Sequence, residues 1–175
     1  WMIIHPPVLF LGYALIQIPF AFGIAAIFRK DYDAAYKKSF PWVAAGVFML
    51  GMGNILGAYW AYIVLGWGGF WAWDPIENSS LIPWLLLVAL LHGLLFYRIR
   101  KGARKLILFL IFISFFYVVW VNYTSRSGIY SDLSTHSFAE IPGVGALLAF
   151  TFLSLLVPMG LFFYAVGSHS SLLKN

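Results

Sequence analysis

Apolar residues fall into five long runs along this chain, and short aromatic or charged segments separate the runs. Each run is long enough to cross a bilayer as an α-helix, which takes about 20 residues. The runs do not show the alternation over about ten residues that marks the strands of a membrane barrel. The pattern predicts an all-α integral membrane protein, one membrane domain over residues 1–175, with spans at 8–28, 42–64, 81–97, 106–123 and 145–166.

The composition and the distribution of charge agree with a membrane protein and predict its orientation. The chain is 62% apolar and only 10% charged, which excludes an ordinary soluble domain. Of its 11 lysine and arginine residues, all but Arg126 follow the first, third and fifth predicted spans. The positive-inside rule then places the N-terminus, the segment 65–84 and the loop 124–144 together on the outer face. The basic segments are expected to meet anionic lipid of the bilayer, and they give no reason to expect nucleic acid.

The chain opens on Trp1 without an initiator methionine or a signal-peptide pattern, so we interpret it as a fragment or one piece of a split protein. It contains no cysteine, which excludes disulfides and thiolate metal sites within it.

The segment between the second and third spans is rich in tryptophan, glycine and acidic residues. Tryptophan and tyrosine collect at membrane interfaces in any membrane protein, and Tyr59, Trp60 and Tyr62 fit such a belt. The segment differs because its glycines permit close approach of a ligand, and carboxylates at an apolar rim are costly without a purpose. We therefore predict a binding platform for a flat, apolar cofactor, formed by Trp67, Trp71, Trp73, Asp74 and Trp84.

Two histidines far apart in the sequence return to this same face. His5 precedes two prolines at the start of the first span, and His136 lies just before the fifth. A lone histidine there is usually an ordinary surface residue, but two can ligate the iron of one haem from opposite sides. Arg126 is either an interfacial anchor or a clamp for a haem carboxylate, which suits its planar guanidinium.

His92 stands apart, inside the third span. Eleven residues separate it from the start of that span, which places it roughly 16 Å along the helix axis and near the middle of the membrane. It is either a neutral histidine bonded to a neighbouring helix or a ligand of a second haem. In the second case, the opposite ligand must come from outside this chain.

The tryptophan-rich segment resembles the WWD signature of haem-handling membrane proteins, and more narrowly the cytochrome c haem lyase subunit CcmF of the system I maturation pathway. The resemblance rests on the motifs Trp67-Gly68-Gly69, Trp73-Asp74-Pro75, Glu77-Asn78, His5-Pro6-Pro7, Arg126-Ser127-Gly128 and His136-Ser137-Phe138-Ala139.

The resemblance implies an enzyme of the holocytochrome c synthase type, working within a multi-subunit complex. Such a lyase attaches haem, which a haem chaperone delivers, to the C-x-x-C-H segment of apocytochrome c, and its partners include other maturation subunits. The implied location is the bacterial or mitochondrial inner membrane, with the tryptophan-rich segment on the periplasmic or intermembrane-space side. His5 and His136 match the ligands of the substrate haem, and His92 matches one ligand of a separate haem b. No catalytic residue is assigned.

Two other kinds of membrane protein share some of these features, a haem transporter and a glycosyl-transfer enzyme. A haem transporter or export subunit without ligase activity would need polar groups along its spans, and these spans have almost none. A glycosyl-transfer enzyme can carry a similar Trp-Trp-Asp string, but the continuation Pro75-Ile76-Glu77-Asn78 does not fit.

Overall fold

The computed structural model describes residues 1, 3–66, 68–138 and 142–173. Within these residues the chain contains helices and no strands, and five helices are long and apolar enough to cross a membrane. The predicted all-α class is therefore confirmed. The helices are α1 (His5–Arg29), α2 (Tyr32–Trp60, continued by a π-helical turn over Ala61–Leu65), α3 (Pro75–Arg100), α4 (Arg104–Arg126) and α5 (Val144–Ser168).

Two helices, α2 and α3, begin before their apolar runs because an aspartate caps each of them. Asp31 caps α2, with Oδ1 accepting a hydrogen bond from the Ala34 backbone at 3.1 Å. Lys37 and Lys38, which lie between the first and second predicted spans, are therefore part of this helix. The third span was expected to begin at Leu81. Instead α3 begins at Pro75, and Pro83 lies in its interior. A capping box between Asp74 and Glu77 causes this earlier start.

Four helices pack in a ring, and α5 lies outside it. Helix α2 contacts α1 and α3, and α4 contacts α1, α3 and α5. Their shared core is mainly aliphatic and aromatic, including Ile16, Leu50, Leu87, Leu90, Leu108 and Phe112. Large apolar side chains cover the outer surface of α5, as expected for a helix in lipid or against another membrane subunit.

Glycines set how closely the helices approach α2. A Cβ atom at Gly53 would lie 2.8 Å from Leu9 of α1, and one at Gly51 would lie 2.9 Å from Trp84 of α3. The glycines of α2 therefore allow close approach of two neighbouring helices on different sides of α2.

Candidate functional site

A cavity of about 270 Å³ lies at one end of the helix ring, and we call it the histidine cavity because His5 and His136 both line it. Its walls come from the start of α1, the end of α2, the start of α3, the end of α4 and the segment 135–138. The lining is largely apolar, with Leu9, Phe10, Tyr13, Trp60, Trp71 and Ile76. The alternating direction of the helices therefore brings together two histidines separated by most of the chain.

His5 is the first residue of α1, and a glycine of α2 makes room for its ring. A Cβ atom at Gly57 would lie 2.5 Å from Cε1 of His5, so no larger residue fits there without moving the imidazole. The ring donates a hydrogen bond through Nδ1 to the Gly53 carbonyl at 2.9 Å. A neutral imidazole protonated at Nδ1 carries its lone pair on Nε2, which is the atom needed for ligation of a metal.

His136 is oriented by a carboxylate. Its Nδ1 lies 3.1 Å from Oδ2 of Asp74, and its backbone N–H donates to the Ser134 hydroxyl at 3.1 Å. Ser134 in turn donates to Asp74, with its Oγ 2.6 Å from Oδ2. A carboxylate behind a histidine fixes the tautomer and the ring orientation and raises the basicity of the other nitrogen, as in many metal sites.

Asp74 therefore links the start of α3 to the ring of His136. It is not among the described residues that line the cavity. It caps α3 by accepting from the backbone N–H of Ile76 at 2.6 Å, and its side chain is buried. Burial alone would raise the pKa of Asp74, but hydrogen bonds from Ser134, His136 and Ile76 outweigh it and hold the pKa below its ordinary value. The residue acts behind His136 rather than on a cavity ligand.

Trp60 contacts both histidines, and the sequence interpretation missed it by assigning it to an interfacial belt. Its ring is nearly parallel to that of His5, with centroids 6.4 Å apart and 14° between the planes. It meets His136 edge-on, with centroids 6.1 Å apart at 69°. The available signal was its position three residues after Gly57, on the same face of α2.

The predicted tryptophan platform is only partly assembled. Trp71 lines the cavity, and its indole N–H donates to Asn78 Oδ1 at 3.4 Å. In an extended strand, Trp71 and Trp73 would face the same way. Trp73 instead has a positive φ of 60° and is 72% exposed, so the two rings do not face the same way. Trp84 lies within α3, where its indole donates to the Val47 carbonyl at 3.1 Å. Trp67 falls outside the described residues.

Arg126 ends α4 and lines the cavity. Its Nη1 donates to Asn122 Oδ1 at 2.7 Å, and its guanidinium lies 5.7 Å from the ring of Phe10 and 5.8 Å from that of Phe138. Among the described residues, no carboxylate forms an ion pair with it. This leaves a cationic group at the edge of an apolar cavity, where it can meet an anionic ligand.

His92 is exposed on α3 and is not part of the histidine cavity. Its Nδ1 donates to the Val88 carbonyl one turn earlier at 2.7 Å, which again places the lone pair on Nε2. His169 lies buried beside Tyr32, with Nδ1 and the hydroxyl 2.7 Å apart. In the described part of the chain, no group of three histidine or acidic side chains is arranged to hold a metal ion.

Comparisons of sequence and of structure both find proteins of cytochrome c assembly. A sequence profile for the family described as Cytochrome C assembly protein matches residues 1–129. The cytochrome c-type biogenesis protein ccl1 of Rhodobacter capsulatus is 42% identical over 147 residues, which are 83% of this chain and 22% of that protein. The cytochrome c-type biogenesis protein CcmF of Escherichia coli K12 is 36% identical over 169 residues, which are 96% of this chain and 26% of that protein.

A solved structure named Cytochrome c Heme Lyase CcmF shares the fold, with a TM-score of 0.78 and 28% identity over 99% of this chain. The match covers 28% of that structure's chain. This chain thus spans roughly a quarter of the length of these similar proteins, between 22% and 28%.

Proposed function

Because this chain belongs to the cytochrome c assembly protein family, we propose that it forms the haem-binding core of a cytochrome c haem lyase. The observation that supports this most directly is the placement of His5 and His136 on one apolar cavity. Both rings form Nδ1 hydrogen bonds to backbone or carboxylate oxygen, which suits ligation through Nε2. The substrate is haem, and its two axial ligands would be these histidines.

The other lining residues suit the rest of a porphyrin. Trp60 and Trp71 offer flat apolar surfaces, and Arg126 offers a positive charge to a propionate. The cavity volume of about 270 Å³ is near the lower limit for ligand pockets, which is about 300 Å³.

The proposed reaction joins haem to apocytochrome c. Each of two cysteine thiols of a C-x-x-C-H segment adds across a haem vinyl group, so that sulfur bonds to one vinyl carbon and the hydrogen goes to the other. The addition is balanced and needs no oxidant. The contribution of this chain is to hold the haem in a fixed orientation for the two thiols, since positioning alone accelerates a bimolecular step strongly.

The partners and location follow from the same proposal. Apocytochrome c, a haem chaperone and other maturation subunits would meet the end of the molecule that carries the histidine cavity. The lysine and arginine residues near the opposite helix ends support placing that cavity on the periplasmic side of a bacterial inner membrane or the intermembrane-space side of the mitochondrial one.

His92 fits one axial position of a second haem, of the b type, because its exposed imidazole carries the lone pair on Nε2. Such a haem would supply redox chemistry that keeps the substrate iron reduced. The described residues offer one ligand to it, and the other would come from a further segment of the longer protein.

A maturation assay tests the proposal. The full-length protein, expressed in cells that lack their own lyase, should lose most covalent cytochrome c when His5 or His136 is replaced by glycine. Added imidazole should restore part of the yield, because a free ligand fills the vacated position. His169→Gln serves as the control, since it removes a histidine at the opposite end of the molecule. Normal yield in both glycine variants would refute the proposal.

A further inference from the structure

Two side chains of opposite charge line the histidine cavity, and they come from different helices. Glu77 lies in the first turn of α3, and Arg126 lies in the last turn of α4. No ion pair joins them within the described part of the chain. Neighbouring residues on each helix also line the cavity: Ile76 and Ser80 form the α3 wall with Glu77, and Asn122 and Ser125 form the α4 wall with Arg126. The cavity therefore has one negative wall and one positive wall.

The carboxylate of Glu77 is held on one side and open on the other. Its Oε2 accepts hydrogen bonds from the backbone N–H of Ala72 at 3.0 Å and of Asp74 at 3.3 Å. Both N–H groups donate to the carboxylate, which supports its negative charge. Its Oε1 accepts no hydrogen bond from the described residues, and they do not enclose it. A ligand in the cavity therefore meets this charge in apolar surroundings, which screen it less than water does.

Haem is asymmetric in the plane of its ring. Its two propionate carboxylates lie at one edge, and its two vinyl groups lie on the opposite half of the porphyrin. Axial ligation by two histidines fixes the iron but leaves the ring free to turn about the axis through the iron. The guanidinium of Arg126 attracts propionates and the carboxylate of Glu77 repels them, so both charges favour the same orientation of the ring.

We propose that Glu77 is a specificity-determining residue that directs the propionates of the bound haem away from the α3 wall, so that its vinyl groups face the start of α3. This inference deepens the proposed function and rests on it, because the ligand must be a haem held by His5 and His136. The vinyl groups are the reacting groups of that function. The two cysteine thiols of apocytochrome c would then reach them at the start of α3, since each thiol adds to one vinyl group.

A cysteine trap reports which wall the vinyl groups face. Residues 1–175 contain no cysteine, so an introduced thiol is the only one among them. Ser80→Cys places it on the α3 wall and Ser125→Cys on the α4 wall. The two sites are matched, because each hydroxyl donates to the carbonyl three residues earlier on its own helix, Ser80 to Glu77 at 2.7 Å and Ser125 to Asn122 at 3.2 Å. The full-length protein is loaded with haem, reduced and digested, and mass spectrometry measures the thioether on the peptide that carries each substitution.

Ser80→Cys should form at least about ten times as much thioether as Ser125→Cys, because both charges favour the same orientation. The sulfur bonds to one vinyl carbon and the thiol hydrogen goes to the other, so the trap needs no oxidant. Adding Glu77→Gln to each variant should lower this ratio at least about threefold, since only Arg126 then orients the ring. Glutamine can keep the capping box, so the start of α3 stays intact. The affinity for haem should not fall, because a repulsive charge is removed, whereas a merely structural role of Glu77 would lower it.

Ile76→Cys is a second reporter on the α3 wall and keeps the test valid if Ser80→Cys does not fold. Equal yields at the two walls, a higher yield at Ser125→Cys, or a ratio that Glu77→Gln leaves unchanged would overturn the role of Glu77. A haem-loaded protein that forms no thioether at either α3 position would overturn it as well. The haem proposal would still stand if His5→Gly weakened haem binding in the same preparations. Failure of the unmodified protein to bind haem would overturn both.

Discussion

The ring of His136 is held by the carboxylate of Asp74, with Nδ1 and Oδ2 3.1 Å apart, and the same carboxylate begins α3 as its N-cap. The start of a membrane helix and the orientation of a candidate haem ligand thus depend on one side chain. Asp74 and His136 lie 62 positions apart in the sequence, so this hydrogen bond also fixes the segment after α4 to the start of α3.

Replacing Asp74 by asparagine separates these two tasks. Asparagine is as good an N-cap as aspartate, so the thermal stability should change by no more than about 1 kcal/mol. The amide cannot supply the negative charge behind His136, and loss of such a partner typically costs about 10- to 100-fold in affinity for the metal. Haem affinity and thermal unfolding of Asp74→Asn, measured on the same full-length preparations, check this. Unchanged haem affinity would show that the carboxylate does not orient His136 for ligation.

The depressed pKa of Asp74 predicts loss of stability in acid. Its pKa in the folded protein lies below the value in the unfolded chain, so the folded state binds this proton less readily. The resulting stabilisation is complete above about pH 4, the ordinary range of an aspartate, and is lost as the pH falls through the folded pKa. Melting temperatures between about pH 3 and pH 7 should fall less steeply towards acid in Asp74→Asn than in the unmodified protein. Parallel curves would contradict the assigned hydrogen bonds.

Gly57→Ala should displace His5 without unfolding the protein. The added Cβ would lie 2.5 Å from Cε1 and 2.8 Å from Nδ1 of the ring, so the imidazole must move and its bond to Gly53 is strained. We expect the haem affinity of this variant to fall, while its helix content stays close to that of the unmodified protein. Gly160→Ala is the matched control, because a Cβ there meets nothing within 4 Å and the helix can gain up to about 1 kcal/mol. Equal haem affinities in the two alanine variants would exclude the tight fit at Gly57.

Trp71 and Trp73 should differ in their effect on haem binding. Trp71 lines the histidine cavity, whereas Trp73 is 72% exposed and is not among the described residues that line it. Loss of one aromatic contact is worth on the order of 1 kcal/mol, or roughly fivefold in affinity. Trp71→Ala should therefore weaken haem binding by at least that factor, and Trp71→Phe should weaken it less. Trp73→Ala should bind as the unmodified protein does, and a loss as large as that of Trp71→Ala would contradict the observed orientation.

Hydropathy and motifs predicted the fold class and the family from the sequence, and both are confirmed. Long apolar runs admit few structures in a membrane, and the alternation of five helices returns His5 and His136 to one end. The start of α3 at Pro75 was missed, although the spacing of Asp74 and Glu77 is a recognisable capping box.

The orientation of individual side chains was less predictable. A positive φ at Trp73 breaks the alternation that an extended segment would have, and tertiary packing sets such a backbone angle. Trp60 fits an interfacial belt in the sequence, and its position three residues after Gly57 gains its meaning only from the packing of α1 against α2.

If His5 and His136 ligate one haem, the spectrum of that haem reports both axial ligands. The full-length protein carrying His92→Ala, which removes the proposed ligand of the second haem, is loaded with haem and examined by visible absorption and electron paramagnetic resonance. We predict a low-spin, two-histidine spectrum that becomes high-spin when either His5 or His136 is replaced by glycine, and that returns towards low-spin when imidazole is added. A low-spin spectrum that persists unchanged in both glycine variants would show that these two histidines do not ligate the haem.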